Sequence, residues 1–161
     1  MRANFPVRLG PAEEVLIAQL KAAGADQAAE RITEAGLPTR RVESYHYTDL
    51  KTLLRAIPPL AAPANEASAP ALRIPGAYGL MIANGVIQNA STAPVGVIVG
   101  ESTGGVLTTR DDMLVHVNNA LTTSALTLTL ESSVDPVIQV ERRVEGGAAH
   151  VTDALKVFVA D

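Results

Sequence analysis

The hydrophobic pattern of this chain changes period once, and that change limits the folds open to it. Before Ile57 the apolar residues recur at helical spacing; after Gly76 they come in short runs between turn residues. The stretch between them, Ile57 to Gly76, is rich in Pro and Ala, includes Asn65 and Ser68, and sustains neither period. Such a segment is a linker or an irregular surface strap. Helix first and strand afterwards makes an α+β protein. We expect a helical region at 1–56, a linker at 57–76 and a β-rich region at 77–161.

Within the first region, Ala12, Val15, Leu16, Leu20 and Ala23 form a helical stripe opened by Pro11 with Glu13 and Glu14 and stopped by Gly24. A second helix is predicted from Ala25 or Asp26 to Ala35, with Asp26 as its cap, Ala28, Ile32 and Ala35 as its stripe, and Gly36 as a left-handed stop. The short loop between them predicts an antiparallel helical hairpin. Pro38 then demands an extended segment. A short third helix is expected from Thr48 as cap, through Asp49, Leu50, Leu53 and Leu54, ending before Pro58.

In the β-rich region Asn84-Gly85 separates Tyr78–Ala83 from Val86–Gln88, a strong two-residue hairpin signal. Val95 to Val99 reads as a strand bounded by Gly100 and Gly104-Gly105, and Asp111 to Leu121 as a short helix. Strands are expected at Ala125–Leu130 and Pro136–Val140, with short β runs around His150-Val151 and from Leu155 to Val159. The breaks at 131–135 and 145–147 leave either a sandwich or successive rungs of a solenoid.

Composition removes several functions. Three Tyr, two Phe and no Trp leave too few rings to stack bases, and from Ile57 onward ten acidic residues face five basic ones, which disfavours a phosphate backbone. With no cysteine, disulfides and thiolate-held metals are out, and a cytoplasmic location fits. No apolar run is long enough for a membrane span, so the Asn89-Ala90-Ser91 sequon reads as accidental. His46, His116 and His150 are too scattered to hold a metal. Asp111-Asp112 reads as a helix cap, Asn84-Gly85 and Ser102 to Gly105 as turns, and no nucleophile elbow or phosphate loop is present. We therefore expect a protein that is not an enzyme, with no catalytic, cofactor-binding or metal residues.

The densest motif runs Gly36-Leu-Pro-Thr-Arg-Arg-Val-Glu43 and closes with Tyr47-Thr-Asp-Leu50. It resembles the N-terminal hallmark of the SufB/SufD family of iron–sulfur cluster assembly scaffolds, with Ser44-Tyr45-His46 standing where that family usually has Ala-Trp-Lys. Met81–Val86, Asp112–Leu121 and Pro136-Val137-Ile138 are similar to further family segments. The resemblance implies that the β-rich region is the first part of a right-handed parallel β-helix, in the front portion of a scaffold subunit working with SufB and SufC. It implies no cluster bound by this chain alone, the iron–sulfur cluster being handled by the full assembly, and a SufC-contacting region that lies beyond it. An unfinished solenoid edge would self-associate into a homo-oligomer or be capped by the chain's own helices. The alternative is a self-standing β-rich protein-interaction module with no SUF role. Gly36, Leu37, Pro38, Arg40, Arg41, Glu43, Tyr47, Thr48 and Asp49 are read as structural motif residues. In that reading Arg40, Arg41 and Glu43 clamp the loop to the helices, while Tyr45 and Tyr47 anchor it.

Overall fold

The computed structural model describes residues 7–64, 73–88, 92–103, 111–122, 124–131 and 137–160. The predicted features at Asn65, Ser68, the 89–91 sequon, Gly104-Gly105 and Pro136 lie outside the described residues. The chain divides into two compact units: one holds the described parts of Met1–Pro59 and Leu107–Leu121, the other those of Leu60–Val106 and Thr122–Asp161.

The first unit is helical. Helix α1 (Pro11–Ala22) and helix α2 (Asp26–Ala35) form the expected hairpin, and α4 (Met113–Leu121) packs against both. The predicted third region therefore loses its helix to the first unit, because Val117 and Leu121 belong to the helical core. That core gathers Leu16, Leu20, Ala28, Ala29, Ile32 and Leu37 with them. Val15, which the spacing placed on the inner stripe, is exposed, and Glu13 takes an inner place instead. Asp26 is the first residue of α2 and caps nothing; Ala25 precedes it without a side-chain bond. Helix α3 (Leu50–Leu53) is capped by Asp49, whose carboxylate accepts the Thr52 N–H at 2.9 Å, one residue later than the expected Thr48.

The second unit contains two three-stranded mixed sheets. In the first, β1 (Tyr78–Ala83) lies between antiparallel β2 (Val86–Gln88) and parallel β5 (Ile138–Arg143). In the second, β4 (Ala125–Leu130) lies between antiparallel β3 (Val97–Ser102) and parallel β6 (Ala154–Val159). Tyr78, Leu80 and Ile82 of β1 share one core with Val97, Leu126 and Leu128 of the second sheet, so alternate residues of the two sheets face each other. Val95 stays exposed and β3 starts two residues later than expected, running through Gly100. Asn84 and Gly85 both have positive φ, 49° and 81°, as a type I′ turn requires.

The described ends of the Pro/Ala stretch are fastened rather than loose. Leu60 forms a parallel bridge to His150, and the carbonyls of Ala62 and Ala64 accept from the Asn84 and Gln88 amides. The division between units consequently falls after Pro59, inside the predicted linker. Around His150-Val151 the expected strand is reduced to that one bridge. Among the described residues the two sheets are open, and no closed β-helix is formed.

Candidate functional site

The motif loop is built on a buried carboxylate. Glu13 lies in the first turn of α1, three residues past Gly10, where a Glu can reach back to the N-cap N–H. It accepts from the Gly10 N–H and, at 2.7 Å, from the Leu37 N–H, and Lys51 Nζ stands 3.1 Å from its other oxygen. Lys51 also donates to the Arg8 carbonyl at 2.6 Å. Glu13 is only 1% exposed. Burial alone would raise its pKa, but the Leu37 and Gly10 donors and Lys51 outweigh it and hold the carboxyl below its usual range.

Gly36 makes this latch possible. Its φ of 68° with ψ of −178° is extended backbone on the positive-φ side, a region open essentially only to glycine, rather than the left-handed stop expected from the sequence. A β-carbon there would come within 2.9 Å of a Glu13 oxygen. Leu37 and Pro38 follow, both buried, and the Pro38 carbonyl accepts the Leu50 N–H at 3.0 Å. The start of the motif is thus tied to the start of α3.

Between those points the chain is not extended. Thr39, Val42 and Tyr45 carbonyls accept in succession from Val42, Tyr45 and Thr48 N–H groups, winding the segment through a single 3-10 turn at Glu43–Tyr45. This coiling separates the two tyrosines that an extended strand would have put on one side. Tyr45 does anchor the loop, its hydroxyl donating to Asp112 Oδ1 at 2.7 Å. Tyr47 does not: it is 93% exposed and lies against the ring of His46 in a T-shaped pair, 4.9 Å between ring centres. The expected clamp is also missing. Among the described residues Arg40, Arg41 and Glu43 are exposed and make no side-chain hydrogen bond or ion pair.

An arginine that does pair in the helical unit is Arg31, on α2. Its Nη1 lies 2.8 Å from Asp111 Oδ1 and 2.8 Å from His116 Nε2, while His116 Nε2 is 2.9 Å from the same carboxylate oxygen. His116 Nε2 accepts from Arg31 in one tautomer and donates to Asp111 in the other, while Arg31 donates to Asp111 in both. His116 and then Arg31 hold Asp111 below the usual carboxylate range. Asp112, not Asp111, is the cap of α4, accepting the Leu114 N–H at 3.0 Å.

The expected motif residues therefore split. Gly36, Leu37, Pro38 and Asp49 join the latch, and Arg40, Arg41, Glu43, Tyr47 and Thr48 stay outside it. Of the other residues that build the site, Asp112 reads from the sequence as part of a helix cap and is one, Glu13 carries a capping-box signal, and the pairing of Arg31 with His116 carries none. A cleft of about 290 Å³ lined by Gly10, Glu13, Leu37 and Lys51 borders the latch, and another of about 430 Å³ lies over Gly79, Met81, Gln88 and Gln139 in the β unit. Neither brings together an acid, a base and a nucleophile. Among the described residues no three His, Asp or Glu side chains are placed to hold a metal, and no helix is long and apolar enough to cross a membrane. No protein-family model matches the chain, and no curated protein matches it.

Proposed function

We propose that the chain is a partial SufD-like scaffold, non-catalytic by itself, that works in the cytoplasm with SufB and SufC in iron–sulfur cluster assembly. The path of the strands is what supports the reading. After β1 the chain forms β2 beside it, then β3, α4 and β4, returns as β5 alongside β1, and lays β6 alongside β4, both in parallel register. Tyr78 pairs with Ile138, 60 residues on, and Ala125 with Ala154, 29 residues on. This is the winding a parallel β-helix repeats. The winding also has an open side. Val157 and Val159 continue the inward columns of Leu128 and Leu130, yet they are 51% and 71% exposed. A further rung would cover them.

The alternative, a self-standing β-rich interaction module, is favoured by the antiparallel pairs β1–β2 and β3–β4, which a plain parallel coil does not contain. Co-expression with SufB and SufC decides between them. The scaffold reading expects the chain to co-elute with SufB on gel filtration, and failure to co-purify with either protein refutes it. With no thiolate of its own, the chain is expected to take up no stoichiometric cluster in anaerobic reconstitution.

A further inference from the structure

Among the described residues, the two sheets of the β unit end on four edge strands, and three of these are guarded. β2 is only three residues long, β3 carries Gly100 and Glu101, and β5 ends in Glu141, Arg142 and Arg143. Short, charged or glycine-broken edges resist pairing with a further strand. β6 has none of these protections. Its last three residues, Val157, Phe158 and Val159, are 51%, 55% and 71% exposed. Its single charge is turned away from the edge, because Lys156 Nζ reaches back across β4 to Ser102 Oγ at 3.1 Å. Asp153, just ahead of the strand, is paired with Arg142 at 2.7 Å. The ladder fixes which backbone groups are left over. The Ala160 N–H donates to the Leu130 carbonyl, so the even-numbered residues of β6 turn their N–H and C=O toward β4, and Leu155, Val157 and Val159 turn theirs outward.

An edge of this kind takes another strand, and its own sequence says which. Val157 is the middle of the outward-turned set. When β6 meets a second β6 antiparallel about a two-fold axis through Val157, Val157 pairs with Val157 and Leu155 with Val159, each exchanging backbone hydrogen bonds. Lys156 then falls opposite Phe158 at a closer, non-hydrogen-bonded position, where the ring covers the lysine stem and no like charges meet. The faces match as well. Leu155, Val157 and Val159 are in register with Leu126, Leu128 and Leu130, so the inward side of one sheet continues into that of the other. Sliding by one pair sets Lys156 against Lys156 in one direction and shortens the paired stretch in the other. A foreign strand would have to supply this complement, whereas a second copy brings it by symmetry. We propose that a second copy of this chain takes the place a further rung would fill, the two joining through β6 in this register so that their three-stranded sheets merge.

The self-association expected of an open edge thereby acquires a strand and a register, and it is independent of any role with SufB and SufC. The full chain is run by sedimentation equilibrium across a concentration series, where a monomer–dimer equilibrium is expected. Val157→Pro removes an N–H that the β4 ladder does not use, so it should weaken the dimer at least about tenfold while the monomer stays folded by circular dichroism. Phe158→Lys should also weaken it, by setting a like charge against Lys156, and adding Lys156→Glu to the same chain should restore it. Because the chain has no cysteine of its own, Val157→Cys should cross-link on oxidation and Lys156→Cys should not. A monomer at millimolar concentration, open-ended growth, a dimer unmoved by Val157→Pro, a charge exchange that restores nothing, or equal cross-linking of the two cysteine variants would overturn the proposal. A monomer leaves the SufB co-elution test standing, and failed co-purification leaves the dimer standing, so the two readings fail separately.

Discussion

Replacing Gly36 with alanine tests the latch most directly. Two costs are expected. The first is conformational: a residue with a β-carbon held at φ 68°, ψ −178° is strained by about 1–3 kcal/mol. The second is steric, because the new carbon would sit 2.9 Å from Glu13 Oε1 and 3.1 Å from Val7 Cγ1. Glu13 cannot simply withdraw, since its carboxylate satisfies two backbone N–H groups and pairs with Lys51. Together these make Gly36→Ala destabilising by about 2–4 kcal/mol, a large share of an ordinary domain's stability. Urea unfolding followed by circular dichroism reads the loss as a lower midpoint at unchanged slope. A double-mutant cycle then separates the two costs. In a Glu13→Ala background the carboxylate clash is gone while the backbone strain remains, so the added alanine should cost about 1 kcal/mol less than in the wild type. Should Glu13→Ala prove too unstable, Glu13→Gln keeps an acceptor for Leu37 and retains the clash, and the full cost of Gly36→Ala should return. Equal costs in the wild-type and Glu13→Ala backgrounds would refute the steric account, and a cost below about 0.5 kcal/mol in the wild type would refute both.

Four further outcomes follow from the latch and from contacts elsewhere in the chain. Glu13 is depressed below its ordinary value of 4.5, so its stabilisation is complete above that value and disappears as pH falls through the lower folded-state value; stability measured down an acid series should drop there, and Glu13→Gln should flatten the drop. His150 is pulled below its ordinary 6.5 by burial, so it favours the fold above 6.5 and loses that contribution as pH falls through its folded value, which His150→Gln should abolish in the same series. Tyr45→Phe removes the bond to Asp112 and should cost about 1 kcal/mol, whereas Asp112→Ala also uncaps α4 and should cost about 2 kcal/mol in chemical denaturation. Asn84→Asp keeps the turn and the acceptor for the Glu145 N–H but loses the amide donors to the Ala62 and Glu145 carbonyls. A loss of about 1–3 kcal/mol is expected from thermal unfolding, and no loss would mean that the turn alone matters.

What could be read from the sequence was local. Pro11 and Gly24 delimit α1, and Asn84-Gly85 fixes a hairpin whose register, Ala83 opposite Val86, follows from the turn geometry itself. What could not be read depended on partners distant along the chain. β1 finds its parallel neighbour at Ile138, 60 residues after Tyr78, and nothing in either strand specifies that pairing. Helix α4 was legible as a helix but not as part of the helical unit, because amphipathic spacing says that Val117 and Leu121 are inward without saying against what. Proline's preference for extended backbone acts on the residue before it, so Pro38 constrained Leu37 and left the chain after Thr39 free to coil.

The motif shows the same limit at single-residue scale. Gly36 was recognisable as a residue that must have positive φ, but its particular backbone region is needed only because Glu13, a residue that looks like an ordinary first-turn charge, returns beneath it. The sequence expects Arg40, Arg41 and Glu43 to clamp the loop and Tyr47 to anchor it, because a run of charges and rings beside two helices usually folds back onto them. They do not, and the reason is structural: Glu13, Lys51, Tyr45 and Asp112 already hold the loop, leaving those side chains nothing to do for stability. Substitutions at Gly36 or Tyr45 should therefore lower unfolding midpoints, those at Arg40, Arg41 or Tyr47 should leave them unchanged, and a variant of the second group that destabilised the fold would show that its side chain also holds the loop.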